Sequence, residues 1–226
     1  NTAVGSFSLR DNIIGSWNVA TGAYSCGLQT SGSFNTASGN SALYRNYSGS
    51  FGVAIGHNSQ RWVNDTTTPW DNYNTSLGAN ALSFDSTNNT DSSGNTGNRN
   101  TAMGYGSLQN VTTGSRNTSL GMYCGQQITS GEDNTAVGYY TLEKITNGTW
   151  GQNNTAVGGQ ALGLSTSSVD NTAIGFYALR NSNGKYNTSV GAWSLSVGTA
   201  STENTAIGYA SQEQTTVEGQ FNTSVG

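Results

Sequence analysis

Charge and proline are both scarce in this chain of 226 residues: 9% of its residues are charged and it has one proline. Leu, Ile, Val and Phe together number 37. That is about 16% of the chain, too little for an ordinary globular core. Disordered chains combine low apolar content with high net charge, whereas the net charge here is −4. Both the ordinary globular class and the disordered class therefore fit poorly.

Other scarcities exclude classes of function. Eight Lys and Arg residues, scattered singly, give no basic patch for nucleic acid. No apolar run approaches the ~18 residues of a membrane helix. His57 is the only histidine, which excludes a Ser-His-Asp triad and a multi-histidine metal site. We therefore expect no catalysis and no cofactor, and we expect His57 to be an exposed turn residue.

A short motif is repeated along the whole chain. The pentad Asn-Thr-Ala-Val-Gly, with small changes, occurs thirteen times and mostly recurs every 17 residues. Its copies begin near 1, 18, 35, 52, 74, 100, 117, 134, 154, 171, 187, 204 and 222. All length variation follows position nine of the repeat, with long insertions at 61–73 and 83–99. We interpret residues 1–226 as a single repeat array.

Each position of the repeat has its own chemistry. Position one is almost always Asn, position two Thr, position three Ala or Ser, position four mostly aliphatic and position five always Gly. Position eight is small and position nine is mostly Leu. The residues assigned structural roles on this basis are Asn1, Thr2, Gly5, Asn35, Gly39, Gly56, Asn100, Gly104, Asn134, Gly138, Asn171 and Gly175.

This pattern predicts an all-β, tandem-repeat parallel β-solenoid or β-roll of about 13 coils. An extended pentad alternates its faces, so Thr and the aliphatic residue share one side, and Asn, Ala/Ser and Gly share the other. Positions eight and nine predict a second short strand. We expect positions two, four and nine to be buried. The small face of positions three, five and eight is then predicted to contact another copy of the chain, most simply around a threefold axis.

Three segments carry a resemblance to known fibres. Residues 52–59 read GVAIGHNS, which resembles the S-V-A-I-G-x-x-S signature of YadA-like head repeats in trimeric autotransporter adhesins. NTAVGYYTL at 134–142 and NTAIGFYAL at 171–179 resemble the N-T-A-x-G-x-x-A-L arrays of phage tail fibres and bacterial surface fibres. The resemblance implies a trimeric, left-handed parallel β-roll that acts as a stalk or head. It also implies a location outside the cell, at a cell surface or in a virion fibre.

Candidate binding residues lie mainly in the loops. Sugar faces stack on aromatic rings, so the candidate glycan-binding residues are Trp62, Trp70, Trp150 and Tyr139. The alternative interpretation of the aromatic residues at positions six and seven is a stacked ladder that stabilises the turn. The candidate calcium ligands are Asp65, Asp71, Asp85 and Asp91, and the candidate N-glycosylation sites are Asn64, Asn88, Asn110 and Asn147. Cys26 and Cys124 are expected to be buried structural thiols, with an interchain disulfide as the alternative.

Three functions are compatible with these patterns. The first is a structural protein, a fibre or filament shaft in which the chain binds itself as a homotrimer or end to end. The second is a receptor-binding or glycan-binding adhesin or tail-fibre head. The third, an ice-binding solenoid, is prompted by the Thr column, although ice-binding solenoids display paired Thr columns on uniform coils. No nucleic acid and no membrane insertion is expected for any of them.

Overall fold

The computed structural model describes residues 1–63, 68–84, 96–144, 151–197, 202–213 and 219–226. It forms two compact units, 1–115 and 116–226. The first unit contains β1 Thr2–Val4, β2 Val19–Thr21, β3 Thr36–Ser38, β4 Gly49–Ser50, β5 Val53–Ile55, β6 Trp70–Asp71, β7 Thr75–Leu77 and β8 Thr101–Met103. The second contains β9 Thr118–Leu120, β10 Thr135–Val137, β11 Thr155–Val157, β12 Thr172–Ile174, β13 Thr188–Val190, β14 Thr205–Ile207 and β15 Thr223–Val225.

Each copy of the pentad forms one short strand, and successive strands pair in parallel. The register keeps equivalent positions together: Thr135 pairs with Thr155, and Ala136 with Ala156. The pairing runs β1-β2-β3-β5-β7-β8 in the first unit and from β9 through β15 in the second. Five paired steps in one unit and six in the other make eleven turns. The predicted parallel β-solenoid of period 17 is therefore confirmed, with a coil number slightly below the number of motif copies.

The two faces of each strand alternate as predicted, but the face that points inward is the opposite of the one expected. Position three is buried on every pentad strand from β2 to β14, as at Ala37 and Ala156. Position eight is buried as well, as at Ala42 and Ala178. The prediction that this small face contacts another copy of the chain was wrong, because these side chains fill the interior of the solenoid.

Positions two and four were expected in the core, and this too was wrong. These side chains are exposed or half-exposed on every strand, as at Thr75 and Leu77 of β7. Position nine was predicted correctly, since its leucines are the largest fully buried side chains, including Leu43, Leu82 and Leu179. Beside these leucines the interior holds the small residues of positions three and eight, together with larger side chains at position twelve such as Ile128.

The buried Asn column is held by main-chain partners. Asn35 donates from Nδ2 to the carbonyl of Gly49 at 2.8 Å, and its Oδ1 accepts from the N–H of Gly52 at 2.8 Å. Asn18 makes the equivalent pair of bonds to Gly32 and Asn35. Each Asn thus closes its own turn and joins it to the following one. This satisfies backbone groups that would otherwise be buried without partners.

Positions six to nine form turns, so the predicted second strand at positions eight and nine is absent. Non-glycine residues at positions seven and nine adopt left-handed backbone angles, as at Tyr24 (φ 57°) and Leu43 (φ 50°). Main-chain bonds still join equivalent turns, for example from the N–H of Cys26 to the carbonyl of Ala42 at 2.9 Å. The short β4–β6 pair lies elsewhere in the repeat, at Gly49–Ser50 and Trp70–Asp71. The turns stack on one another as regularly as the strands do.

Candidate functional site

The exposed side of the strands forms the first candidate surface. We call it the threonine–aliphatic face, defined as the position-two and position-four side chains of β1, β2, β3, β5 and β7–β15. It presents Thr beside an aliphatic residue on most strands, as in Thr118 and Leu120 of β9 or Thr172 and Ile174 of β12. Four strands depart from this pairing: Val19–Thr21, Thr36–Ser38, Val53–Ile55 and Thr101–Met103.

This face carries no charged residue on any of those thirteen strands. A strand adds about 4.8 Å along the stack, and three residues span about 10 Å, so the six strands of the first unit cover roughly 300 Å². The largest apolar patch of a typical monomer is of about this size and is often functional. The rows are in register, because the strands pair residue for residue. Equivalent positions of successive strands therefore lie one above the other along the face, although the residue type varies between strands.

A stack of aromatic rings directly precedes the Asn column in the first unit. Phe34 and Phe51 stack with ring centroids 5.2 Å apart, and Phe51 stacks on Tyr73 at 5.1 Å. The guanidinium of Arg99 lies 5.8 Å from the Tyr73 ring. The sequence analysis missed this stack. The signal was the recurrence of an aromatic residue immediately before position one, which loop-length variation obscured.

In the second unit the same position is mostly charged, although Tyr186 and Phe221 keep a ring there. Arg116 donates two hydrogen bonds to the carboxylate of Asp133, at 2.7 and 2.8 Å, and also contacts Glu132. The hydrogen bond from Arg116 lowers the pKa of Asp133 below its ordinary value. All three groups are largely solvent-exposed, so the cluster contributes little to stability.

A cluster of cations and rings surrounds Trp62, a predicted glycan-binding residue. The guanidinium of Arg45 lies 4.6 Å from the Trp62 ring centroid, and that of Arg61 lies 5.1 Å from it. Arg61 is also 5.9 Å from the ring of Tyr44. Cation–π contacts of this kind hold the side chains in place. Trp62 is half-buried, and its ring contacts both arginines.

The other predicted glycan-binding residues do not form one site with Trp62. Trp70 belongs to β6 and pairs with Gly49. Tyr139 is in the second unit, 48% exposed, with its ring edge-on to Tyr140 at 4.4 Å. Trp150 lies outside the described residues. The rings at positions six and seven stack between turns, as the ladder interpretation predicts, in the pairs Phe7–Tyr24 and Tyr123–Tyr140.

The calcium and glycosylation predictions fall mostly outside the part of the chain that the structure describes. Asp65, Asp85 and Asp91 lie there, as do Asn64, Asn88 and Asn147. Asp71 is exposed in β6, where its Oδ2 accepts a hydrogen bond from the Tyr73 hydroxyl at 3.2 Å. Within the described ranges, no group of three or more His, Cys, Asp or Glu side chains is placed to hold a metal ion. Asn110 is half-buried, and its glycosylation stays a prediction.

Both cysteines are buried and free, as expected for structural thiols. Burial raises the pKa of the Cys26 thiol to about 12. Burial also raises the pKa of Cys124, to about 11, against an opposing hydrogen bond from Ser119. Thiols of this kind are poor nucleophiles. His57 is exposed in its turn, also as expected.

Three comparisons of this chain with known proteins found no match. No protein-family model matches the chain, and neither a curated protein nor a solved structure matches it. In the described part of the chain there is no helix with the length and hydropathy needed to cross a bilayer. The fold and the surfaces above are thus the basis for an inference about function.

Proposed function

We propose that this chain is a structural module of an extracellular fibre and that copies of it assemble through the threonine–aliphatic face. The observation that carries the proposal is the exposure of uncharged Thr and aliphatic side chains, regularly spaced, on thirteen strands. Such a face is complementary to itself, because it has no charge to repel a second copy. Association would remove water from the aliphatic column.

A homotrimer around a common axis is the assembly we favour. Three copies that pack this face around one axis cover it on each copy, and the arrangement closes without further growth. The likeness of GVAIGHNS and NTAIGFYAL to the repeats of YadA-like heads and fibre proteins supports the same choice. This differs from the trimer expected from the sequence only in the face that meets the axis.

The assembly is tested by comparing two identical substitutions at different places in the first unit. Ile55→Glu puts a charge on the threonine–aliphatic face, where Ile55 is 40% exposed. Ile13→Glu makes the same change outside that face, where Ile13 is 79% exposed. We expect light scattering to give about three times 23.5 kDa for the wild type and for Ile13→Glu. Ile55→Glu should give a monomer with an unchanged circular dichroism spectrum.

Several results would decide against the proposal. A monomeric wild type that shows thermal hysteresis would assign the face to ice binding, because the Thr column on it is exposed. Loss of assembly in Ile13→Glu alone would favour end-to-end contacts. Full assembly of Ile55→Glu would show that the face is not the interface.

A receptor-binding or glycan-binding fibre head is the second candidate function, and the Arg45–Trp62–Arg61 cluster favours it. The cluster begins the first long insertion, and loops on a rigid scaffold commonly carry recognition. Trp62→Ala should then abolish adhesion to glycan-coated surfaces while leaving the oligomeric state unchanged. Unchanged adhesion would argue against the cluster as the binding site.

A further inference from the structure

A cleft on the first unit lies where the stack of position-seven rings ends. At position seven, the rings of Phe7 and Tyr24 stack with centroids 5.1 Å apart, and the following turn has Ser41 instead of a third ring. Beside Ser41 lies an open cavity of about 340 Å³. Its lining residues are Tyr24, Asn40, Ser41, Tyr44 and Arg61.

Arg61 gives this cleft a positive charge that is not neutralised by its described neighbours. Its Nε is buried without a hydrogen-bond partner, and within the described ranges no carboxylate lies within salt-bridge distance of its guanidinium. The nearby Arg10 is paired with Asp11 at 2.8 Å. The contacts of Arg61 with the Tyr44 and Trp62 rings hold its guanidinium in position. A guanidinium held in this way is suited to bind a carboxylate with two parallel hydrogen bonds.

The other lining residues suit a sugar ring. Tyr24 and Tyr44 meet edge to face, with centroids 6.0 Å apart and planes at 87°, and so form two walls of a corner. One side of Tyr24 is covered by Phe7, while the residue as a whole stays 37% exposed. The hydroxyl of Ser41 donates to Oδ1 of Asn40 at 3.0 Å, which leaves the Asn40 amide N–H groups available to donate. Aromatic walls with a few polar groups are the usual lining of small-ligand sites.

We propose that this cleft binds a sugar residue that carries a carboxylate, such as a hexuronic acid. Arg61 binds the carboxylate, the ring of Tyr24 or Tyr44 packs against the C–H face of the sugar, and Asn40 donates to a hydroxyl. The site lies apart from the residues first predicted from sequence, of which only Trp62 contributes, by supporting Arg61. The proposal does not depend on assembly of the chain, since all five lining residues belong to one unit.

The binding test compares two sugars that differ in one group. The probes are methyl glucuronide and methyl glucoside, titrated into the full chain and followed by saturation-transfer NMR. We expect the glucuronide to bind and the glucoside to bind at least 10-fold more weakly. Equal binding of the two sugars, or no binding of the glucuronide, overturns the proposal. Equally tight binding of acetate or inorganic phosphate overturns it too, because the site would then recognise charge alone.

Ser41→Tyr and Arg61→Gln are the informative variants. Tyr fits position seven elsewhere with the same left-handed backbone, at Tyr140 and Tyr177, so Ser41→Tyr should fold and fill the cleft. Both variants should lower glucuronide affinity at least 10-fold. Arg99→Gln, which removes a charge outside the cleft, is the matched control and should bind as the wild type does. Unchanged affinity in Ser41→Tyr with a normal spectrum places the sugar elsewhere and refutes the site.

The oligomeric state is measured on the same samples. A chain that assembles but does not bind glucuronide leaves the fibre proposal standing and removes this one. A chain that binds glucuronide but stays monomeric supports the cleft proposal and removes the fibre proposal.

Discussion

The side chain of Asn154 accepts a hydrogen bond from the backbone N–H of Asn171, one repeat further along the chain, at 3.1 Å. Its own amide donates to the carbonyl of Ser168 at 2.8 Å, which lies just before Asn171 in the same turn. One buried side chain therefore links two successive turns and also closes one of them. This explains why a polar residue recurs at position one of a solenoid interior.

The Asn column makes the fold sensitive to an isosteric change. Asn35→Asp replaces the amide that donates to the Gly49 carbonyl with an oxygen that repels it. We expect a loss of about 3 kcal/mol in the free energy of unfolding at pH 7. Asn40→Asp, at an exposed position, should change that free energy by less than about 0.5 kcal/mol. Urea unfolding measures both.

The loss in Asn35→Asp should shrink in acid. Burial raises the pKa of a carboxyl group in the folded state above its value in the unfolded chain. The destabilisation therefore sets in as the pH rises through the unfolded pKa and is complete above the folded pKa. Unfolding at pH 4 should recover part of the lost stability. An equal loss at both pH values would contradict a buried, deprotonated carboxylate.

Two adjacent glycines should respond differently to the same substitution. Gly158 has φ +125°, and a Cβ there would lie 2.5 Å from the carbonyl oxygen of Gly175. Gly158→Ala should therefore cost several kcal/mol or prevent folding, since backbone must move. At Gly159 an added Cβ first meets the Phe176 ring, at 3.2 Å, and the ring can shift. Thermal unfolding of Gly159→Ala should show a change of about 1 kcal/mol or less.

The left-handed residues predict an unusual gain from glycine. Ala210 has φ 52° at position seven, where a Cβ is unfavourable by about 1–2 kcal/mol. Ala210→Gly should raise the free energy of unfolding by about 0.5 kcal/mol, because relief of this strain exceeds the entropy cost of glycine. Ala192→Gly, at position six of the preceding repeat, lacks that strain and should lower it by a similar amount. A change of the free energy of unfolding in the same direction for both variants would refute this explanation.

The two thiols should be unreactive in the folded chain. Cys26 and Cys124 are buried, with thiol pKa values raised to about 12 and about 11. At pH 8 little thiolate is present and a disulfide reagent cannot reach it. We expect no labelling of the native chain over an hour and two equivalents after denaturation in guanidinium. Rapid native labelling of either thiol would indicate local opening of its turn.

The sequence predicts the solenoid well because the repeat period and the strand alternation both follow from chain geometry. Which face points inward is harder to predict. Hydrophobicity alone predicts that Val4 and Leu77 lie inside, whereas both are exposed. The better guide was variation in volume: position four ranges from Ser38 to Met103, which a packed interior would not tolerate. Position three holds only Ala or Ser for the opposite reason.

The candidate sites were less predictable, because they depend on which side chains meet between turns. In the sequence Ser41 is an ordinary small residue in a variable position, and only the stacking of Phe7 on Tyr24 shows that a short aromatic stack ends there. Arg61 appears in the sequence as the start of a loop. Its place beside Tyr44 depends on the alignment of position ten in neighbouring turns.

Each turn is hydrogen-bonded to the next through the same kinds of donors and acceptors that bond it to the previous turn. The chemistry of a single repeat therefore does not set the number of repeats. Recombination between copies of the motif could lengthen or shorten such a gene in steps of one repeat without requiring a new core. The cleft beside Ser41 is formed by a few neighbouring turns and would be kept if repeats were added or lost elsewhere. The length of the array and its binding site could thus evolve independently.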